Sequence, residues 1–559
     1  MRERHAPRTH VPTMRLAVAA VAAFAIMLPT AVSAQANAGT GVRWEPVADG
    51  YPRTAAESNG FTSHTRHLEM WEYLEGLRGV GSNMRLGRYG ETREGRDLAY
   101  AIFSRPLVTA PWEAMALDRP ILVFAANVHG GERTFREGLL ILMRDLATPG
   151  TEANALLDRV TVVVAPQINP DGFEASEGGQ RGNAWGIDLN RDYVKLEHPS
   201  TQAYVQNIIG EWRPHLFIDG HNGGSRPYNL NYQCTSHYDS AIELTLVCDD
   251  EIFPAIDETL ATEGLKSWYY QRGDEEEWNT GGSQVRIGRN YGGMINSVGI
   301  LFEAPSQELE VGARAGYLGY FAVLEWAARN SEHLMSTVDA ARAETIEMGA
   351  VPTGQVTVEM EYAAEDYLVD YEIVTGGDED QSGMGVDTIQ VTGARLMKKP
   401  VATRLRDRPW AYLLPRDAEE AVELLLRHGI TVERLIEPAT LEVQAYTVAG
   451  VTHEEQYNHA AVTRIQVGDV VTRTEEIPVG TYVVPTAQTL GRLVAHMLEV
   501  ETEDNVVYWN TMDAWVPRPT MQAAGNANGG NDGQAGPPLS PILKLMTPTA
   551  LSTRIVEGR

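Results

Sequence analysis

Cysteine is almost missing from this chain: Cys234 and Cys248 are the only two among 559 residues. That excludes a disulfide-stapled scaffold, and with it zinc fingers and iron–sulfur centres built on cysteine. One disulfide stays open, because sequence alone does not decide a pairing. Basic residues are also scarce. Lys+Arg total 46 against 75 Asp+Glu, and a net charge of -29 repels phosphate backbones, so no nucleic-acid partner is expected. Beyond the N-terminal region no apolar run is long enough to span a bilayer. What remains is an ordinary globular composition, 43% hydrophobic and 22% charged, with length for two or three domains.

Residues 1–34 read as a secretory leader. Arg2, Arg4, Arg8 and Arg15 form a basic start, and Leu16 to Leu28 an apolar run rich in Ala and Val. Small residues follow Pro29, and Ala31-Val32-Ser33-Ala34 fits a cleavage site after Ala34. The run is shorter than the ~20 residues of a spanning helix, and no cysteine marks a lipid anchor. The expectation is export to the periplasm or beyond, with no stable membrane insertion after cleavage.

From 35 to 345, buried strands alternate with helical stretches, the pattern of an α/β unit with a mainly parallel sheet. Strands are predicted at Ile121–Ala126, Val160–Val164, Leu216–Ile218 and Val298–Phe302. A helix is predicted from Glu132 to Leu146, with Leu139, Leu140, Met143 and Leu146 at helical spacing. From 346 to 515 the texture changes to half-exposed strands and short helices, an α+β accessory domain. Asp417 with Glu420 suggests a capping box opening a helix to Arg427, and a second helix is expected over Thr489–Leu498. Residues 516–540 are rich in Gly, Asn and Pro and read as a linker, with 541–559 as a tail.

Four short stretches carry chemistry. His129 and Glu132 flank two glycines where a strand gives way to a helix, and one nitrogen with one oxygen at that spacing suits a single zinc ion. His221 follows the strand Leu216–Ile218 and completes a three-ligand set. Asp219, two residues earlier, points the same way in an extended chain and can hold the imidazole tautomer. Arg181, Asn190 and Arg191 follow the turn Asn169-Pro170-Asp171-Gly172 and suit capture of a carboxylate. Glu303 ends a buried strand, where a carboxylate is costly unless paired or working. His428, His453, His459 and His496 show no ligand spacing and read as ordinary packed or surface histidines.

Taken in order, these motifs resemble the zinc carboxypeptidases of the carboxypeptidase A type, from about Ser63 to Ala328. The resemblance implies a mixed, mainly parallel eight-stranded sheet between helices and one Zn2+ ion held by His129, Glu132 and His221. It implies that Asp188 orients His129, that Arg181 polarises the scissile carbonyl, and that Asn190 and Arg191 clamp a terminal carboxylate. Glu303 then corresponds to the catalytic glutamate, and Tyr291 to a substrate-contacting tyrosine. Departures stand beside this: Gly131 replaces an arginine of the digestive enzymes, and Tyr291 lies nearer the glutamate than the family's tyrosine does.

The implied activity is hydrolysis of the C-terminal peptide bond of a peptide or protein with a free carboxylate. Two other readings share these residues: an amidohydrolase acting on N-acyl amino acids, and a non-catalytic secreted binding protein. Asp274-Glu275-Glu276-Glu277 either favours basic terminal side chains or is a solvated loop.

Overall fold

The computed structural model describes residues 44–375, 387–456, 459–517 and 537–558. The expected leader at 1–34 lies outside these residues, as does most of the stretch expected as a linker. No helix among the described residues is long and apolar enough to cross a membrane.

The first unit contributes ten strands: β1 Met84–Glu91, β2 Asp97–Phe103, β3 Ile121–Ala126, β4 Thr161–Ala165, β5 Leu216–Asn222, β6 Leu230–Cys234, β7 Ser267–Tyr269, β8 Arg272–Gly273, β9 Glu277–Asn279 and β10 Val298–Ala304. Eight form one sheet in the order β1-β2-β4-β3-β5-β10-β6-β7. The central β4, β3, β5 and β10 run parallel, β1 and β2 pair antiparallel with their neighbours, and β6 pairs antiparallel with β10 but parallel with β7. This is the mixed eight-stranded α/β sheet anticipated from the sequence.

Burial on both faces explains the unbroken apolar runs. On β3, Leu122, Phe124 and Ala126 join one core with Leu139, Leu142 and Met143 of the helix Thr134–Ala147 and Leu318 and Val323 of the helix Leu309–Arg329. Val123 and Ala125 face the opposite core. From β3 the chain steps to β4 on one side and returns to β5 on the other, so the order reverses at β3. The crevice beyond the carboxyl ends of strands at such a reversal is where open α/β sheets place ligands.

The second unit adds β11 Gln355–Val374, β12 Thr388–Asp407, β13 Ala411–Leu414, β14 Glu433–Leu435, β15 Ala439–Gln456, β16 His459–Ile477, β17 Tyr482–Pro485, β18 Leu543–Leu545 and β19 Thr553–Ile555. Seven of them form a sheet in the order β16-β15-β18-β13-β17-β14-β19. The residues expected as a free tail therefore enter this sheet, β18 in its interior and β19 at its edge. The hairpin of β11 and β12 continues through β9 to β8 of the first unit, joining both units in one four-stranded sheet. The helix Ser331–Ala350 runs through the boundary drawn at residue 345. The helix Glu419–Arg427 forms without the expected capping box: its N-cap is Ala418, with no side-chain cap.

The units share a core. Tyr291, Phe217 and Trp212 of the first unit lie in the same buried cluster as Leu425, Val494 and Trp509 of the second. Arg286, buried at this seam, donates to Asp504 at 3.1 Å and to the Tyr508 hydroxyl at 2.9 Å. Cys234 and Cys248 form a disulfide, with their Cα atoms 6.0 Å apart.

Candidate active site

His129 and Glu132 sit in the loop after β3, not in the helix, which begins only at Thr134. Asn127 sets the loop with a left-handed backbone, φ 61°. Its side-chain amide donates to the His129 and Glu132 carbonyls at 2.8 Å each. Gly130 lets the loop press on the Asn169–Gly172 turn, since a Cβ there would lie 2.1 Å from the Gly172 carbonyl carbon. That turn opens the short helix Pro170–Glu174, capped by the Asn169 side chain.

His221 is next to the last residue of β5, and β10 places Glu303 directly beside it in register. Three donor atoms converge: Glu132 Oε2 lies 2.8 Å from His129 Nδ1 and 2.8 Å from His221 Nδ1, and the two nitrogens are 3.1 Å apart. Both imidazoles are backed by carboxylates. His129 Nε2 lies 2.8 Å from Asp188 Oδ1, and His221 Nε2 lies 3.0 Å from Asp219 Oδ2. An ionised carboxylate only accepts, so each Nε2 carries a proton, and each Nδ1 can turn a lone pair inward once a cation takes the place of the proton it shares with Glu132. Two neutral nitrogens and one carboxylate oxygen at this spacing match a zinc site with a coordination position left open.

The charge pattern follows. Burial alone would lower His129, but Glu132 and Asp188 outweigh it and raise its pKa. For Asp188, burial opposes ionisation, yet His129, Arg191 and Arg181 hold it below the usual carboxylate range. Glu303 moves the other way: burial raises it to about 7, His221 pulls it down and Glu132 pushes it up. Gly223 leaves room for this carboxyl, since a Cβ there would meet Glu303 Oε2 at 2.6 Å.

Arg181 reaches the site, donating to Asp188 at 3.0 Å and Glu132 at 3.3 Å, with its side chain 53% exposed. Asn190 is buried: its Oδ1 accepts the Gly288 N–H at 2.9 Å and its amide nitrogen lies 3.3 Å from His221 Nε2. Arg191 stands half-buried beside it and donates to the Asn190 carbonyl at 2.9 Å. Tyr291 is not brought to the site. It is buried at the seam between the units, its hydroxyl 2.9 Å from His428 Nδ1, because its place on the helix Gly288–Met294 turns it behind the sheet. Asp274 is spent accepting the Glu276 and Glu277 N–H groups, and Glu277 pairs with Arg395 at 2.7 Å.

Several site residues carry no sequence signal. Asn222 donates its backbone N–H to Glu132 Oε2 at 3.2 Å, and Tyr193 places its hydroxyl 3.3 Å from Asp219. Tyr270 and the buried Arg289 lie in the field of Glu303. These are single residues on a strand end, loops or a helix, and only the fold brings them in.

The sequence profile of the zinc carboxypeptidase family matches residues 70–298. Carboxypeptidase 2 of Trichophyton equinum is 25% identical over 481 residues, covering 80% of this chain and 84% of its own length. Carboxypeptidase 2 of Trichophyton rubrum gives the same identity and coverage. A metallo-carboxypeptidase from Pseudomonas aeruginosa aligns in structure with a TM-score of 0.38 and 21% identity, over 49% of this chain and 70% of that one. The segment 70–298, with the His129–Glu132–His221 triad inside it, therefore matches a zinc carboxypeptidase domain.

Proposed function

We propose that the chain removes the C-terminal residue from peptides carrying a free terminal carboxylate. The carrying observation is Glu303, a buried carboxyl with a pKa near 7, registered beside His221 of a three-ligand metal set. A zinc ion held by His129, Glu132 and His221 would supply the Lewis acidity that makes water nucleophilic near neutral pH. Asp188 and Asp219 hold the two imidazoles in the ligating tautomer. Glu303 takes the proton from the attacking water and passes it to the leaving amine; a pKa near the working pH suits both transfers. Arg181 is placed to stabilise charge developing on the carbonyl oxygen.

Arg191 and Asn190 are the proposed grip on the terminal carboxylate. Arg181, Arg191 and Arg289 gather around this site in a chain that is otherwise strongly acidic, which favours an anionic chain end. A cavity of about 1110 Å³ opens beside Asn222, Gly223 and Ala304, walled by Tyr270 and Trp278 and, from the second unit, by Ile373 and Val374 of β11. It gives room for the rest of the peptide. Export is also proposed, and the Cys234–Cys248 disulfide supports an oxidising compartment.

The test offers the purified chain a peptide set as free acids and as C-terminal amides, together with N-acyl amino acids. Release of single terminal residues from the free acids alone supports the reading. Equal cleavage of the amides, or turnover of N-acyl amino acids only, overturns it. Replacing Arg191 with Ala is expected to raise KM for free-acid peptides by roughly 10–100-fold, the loss of a charge-assisted contact.

A further inference from the structure

The loop after β6 and the second unit's helix Gly491–Leu498 bring together His237, Asp239 and His496. One donor atom from each lies within 4.8 Å of the other two. The imidazoles stand edge to face, with ring centroids 5.2 Å apart. His496 is 3% exposed, and its ring has only a loose hydrogen-bond contact, to the backbone of Glu503, with no well-aligned partner at Nδ1 or Nε2. A buried polar atom left poorly met costs about 1–3 kcal/mol, a cost that a bound cation would relieve.

We propose that His237, Asp239 and His496 form a second site for a zinc-like divalent cation, bridging the two units. Two imidazoles and one carboxylate favour zinc over magnesium or calcium, which prefer all-oxygen sets. The Asp239 carboxylate is already oriented, accepting the Thr357 N–H at 3.0 and 3.2 Å and the Thr357 hydroxyl at 2.6 Å. It keeps lone pairs for an ion, since a carboxylate offers about four. His237 Nδ1 accepts the Asp239 N–H at 3.1 Å, a bond given up on ligation because a neutral imidazole has one lone pair. Zinc–donor distances of about 2.0–2.2 Å set donors roughly 3.3 Å apart, so closing the site draws these side chains in by about an ångström. Arg408 and Arg492 lie in the field of Asp239 and oppose a cation. Arg492 is partly spent, donating to the Asp239 carbonyl and to Glu344 at 2.6 Å each.

The experiment measures metal content of the full chain after chelation and reloading with zinc, beside thermal melting. The wild-type chain should hold about two ions, and His496→Gln or His237→Asn about one. A Glu132→Ala chain, disabled at the catalytic centre, should still bind about one ion and melt higher with zinc than without. Adding His237→Asn should abolish both effects. Peptide turnover by His496→Gln should stay within about twofold of wild type, since the ion lies outside the chemistry. A wild-type content of about one ion, with Glu132→Ala metal-free and unmoved by zinc, overturns the proposal. If His496→Gln does not fold, the Glu132→Ala chain and its His237→Asn derivative still decide.

Discussion

Glu303 and the triad are opposite electrostatic problems solved a few ångströms apart. The triad holds one carboxylate between two imidazoles, so Glu132 stays ionised well below its usual range despite burial. Glu303 has no such partner, so burial holds its proton up to about pH 7. Glu303→Gln should keep the zinc content and lose roughly 10²–10⁴-fold in turnover, read by metal analysis beside steady-state rates. Asp188→Asn and Asp219→Asn act one bond further out. Each trades the charged acceptor behind an imidazole for a neutral amide, and zinc affinity should fall about 10–100-fold in a competition titration.

Elements supply these residues by ending where they do. β3 stops at Ala126, Asn127 turns the chain in a left-handed conformation, and the ligand loop is pinned by the two N–H donors of the Asn127 amide, to the His129 and Glu132 carbonyls. β5 and β10 lie side by side in parallel, so His221 and Glu303 meet by register alone. Behind them, the disulfide ties β6 to the helical segment that starts at Ile242, closing a loop with a sequence separation of 14. Replacing both cysteines with serine should lower stability by about 3 kcal/mol on the loop-entropy estimate, measured by denaturant unfolding.

On the scale of the whole molecule, the two units behave as one body because their seam is buried. His428 shows how that seam depends on pH. Its Nε2–H donates to the Val194 carbonyl at 2.8 Å, and its Nδ1 accepts from the Tyr291 hydroxyl at 2.9 Å, which requires the neutral ring. Burial lowers its pKa from 6.5 to about 4. Between those values the unfolded chain binds the proton and the folded chain does not, so stability falls as pH drops from about 6.5 towards 4. The full effect of this one ring is about 3 kcal/mol. Melting curves across that window should show a shallower acid decline in His428→Asn than in the wild type. His198 and His215, also lowered to about 4, act in the same direction and remain in both chains.

How much was legible follows from range. Strands β3, β4, β5 and β10 could be read because burial on both faces leaves unbroken apolar runs. The metal ligands could be read because His129 and Glu132 are local to one loop and His221 ends one strand. Tyr291 could not be placed, since an aromatic on a short helix looks alike whether it faces a cleft or a seam. Nor could His237 and His496 be joined, because they lie on different units and meet only where those units pack.

The sequence by itself determined which side chains can form the metal triad, which carboxyl is proposed to carry a proton, and which strands must be buried to present them. Those are local matters of side-chain type and hydrophobic period, which need only a few residues to express. Tertiary structure alone decided that residues 537–558 complete a sheet begun well over a hundred residues earlier, that the second unit walls the cleft, and that Tyr291 serves the seam. These depend on which surfaces meet, and a surface is assembled from segments whose separation along the chain carries no trace of their contact.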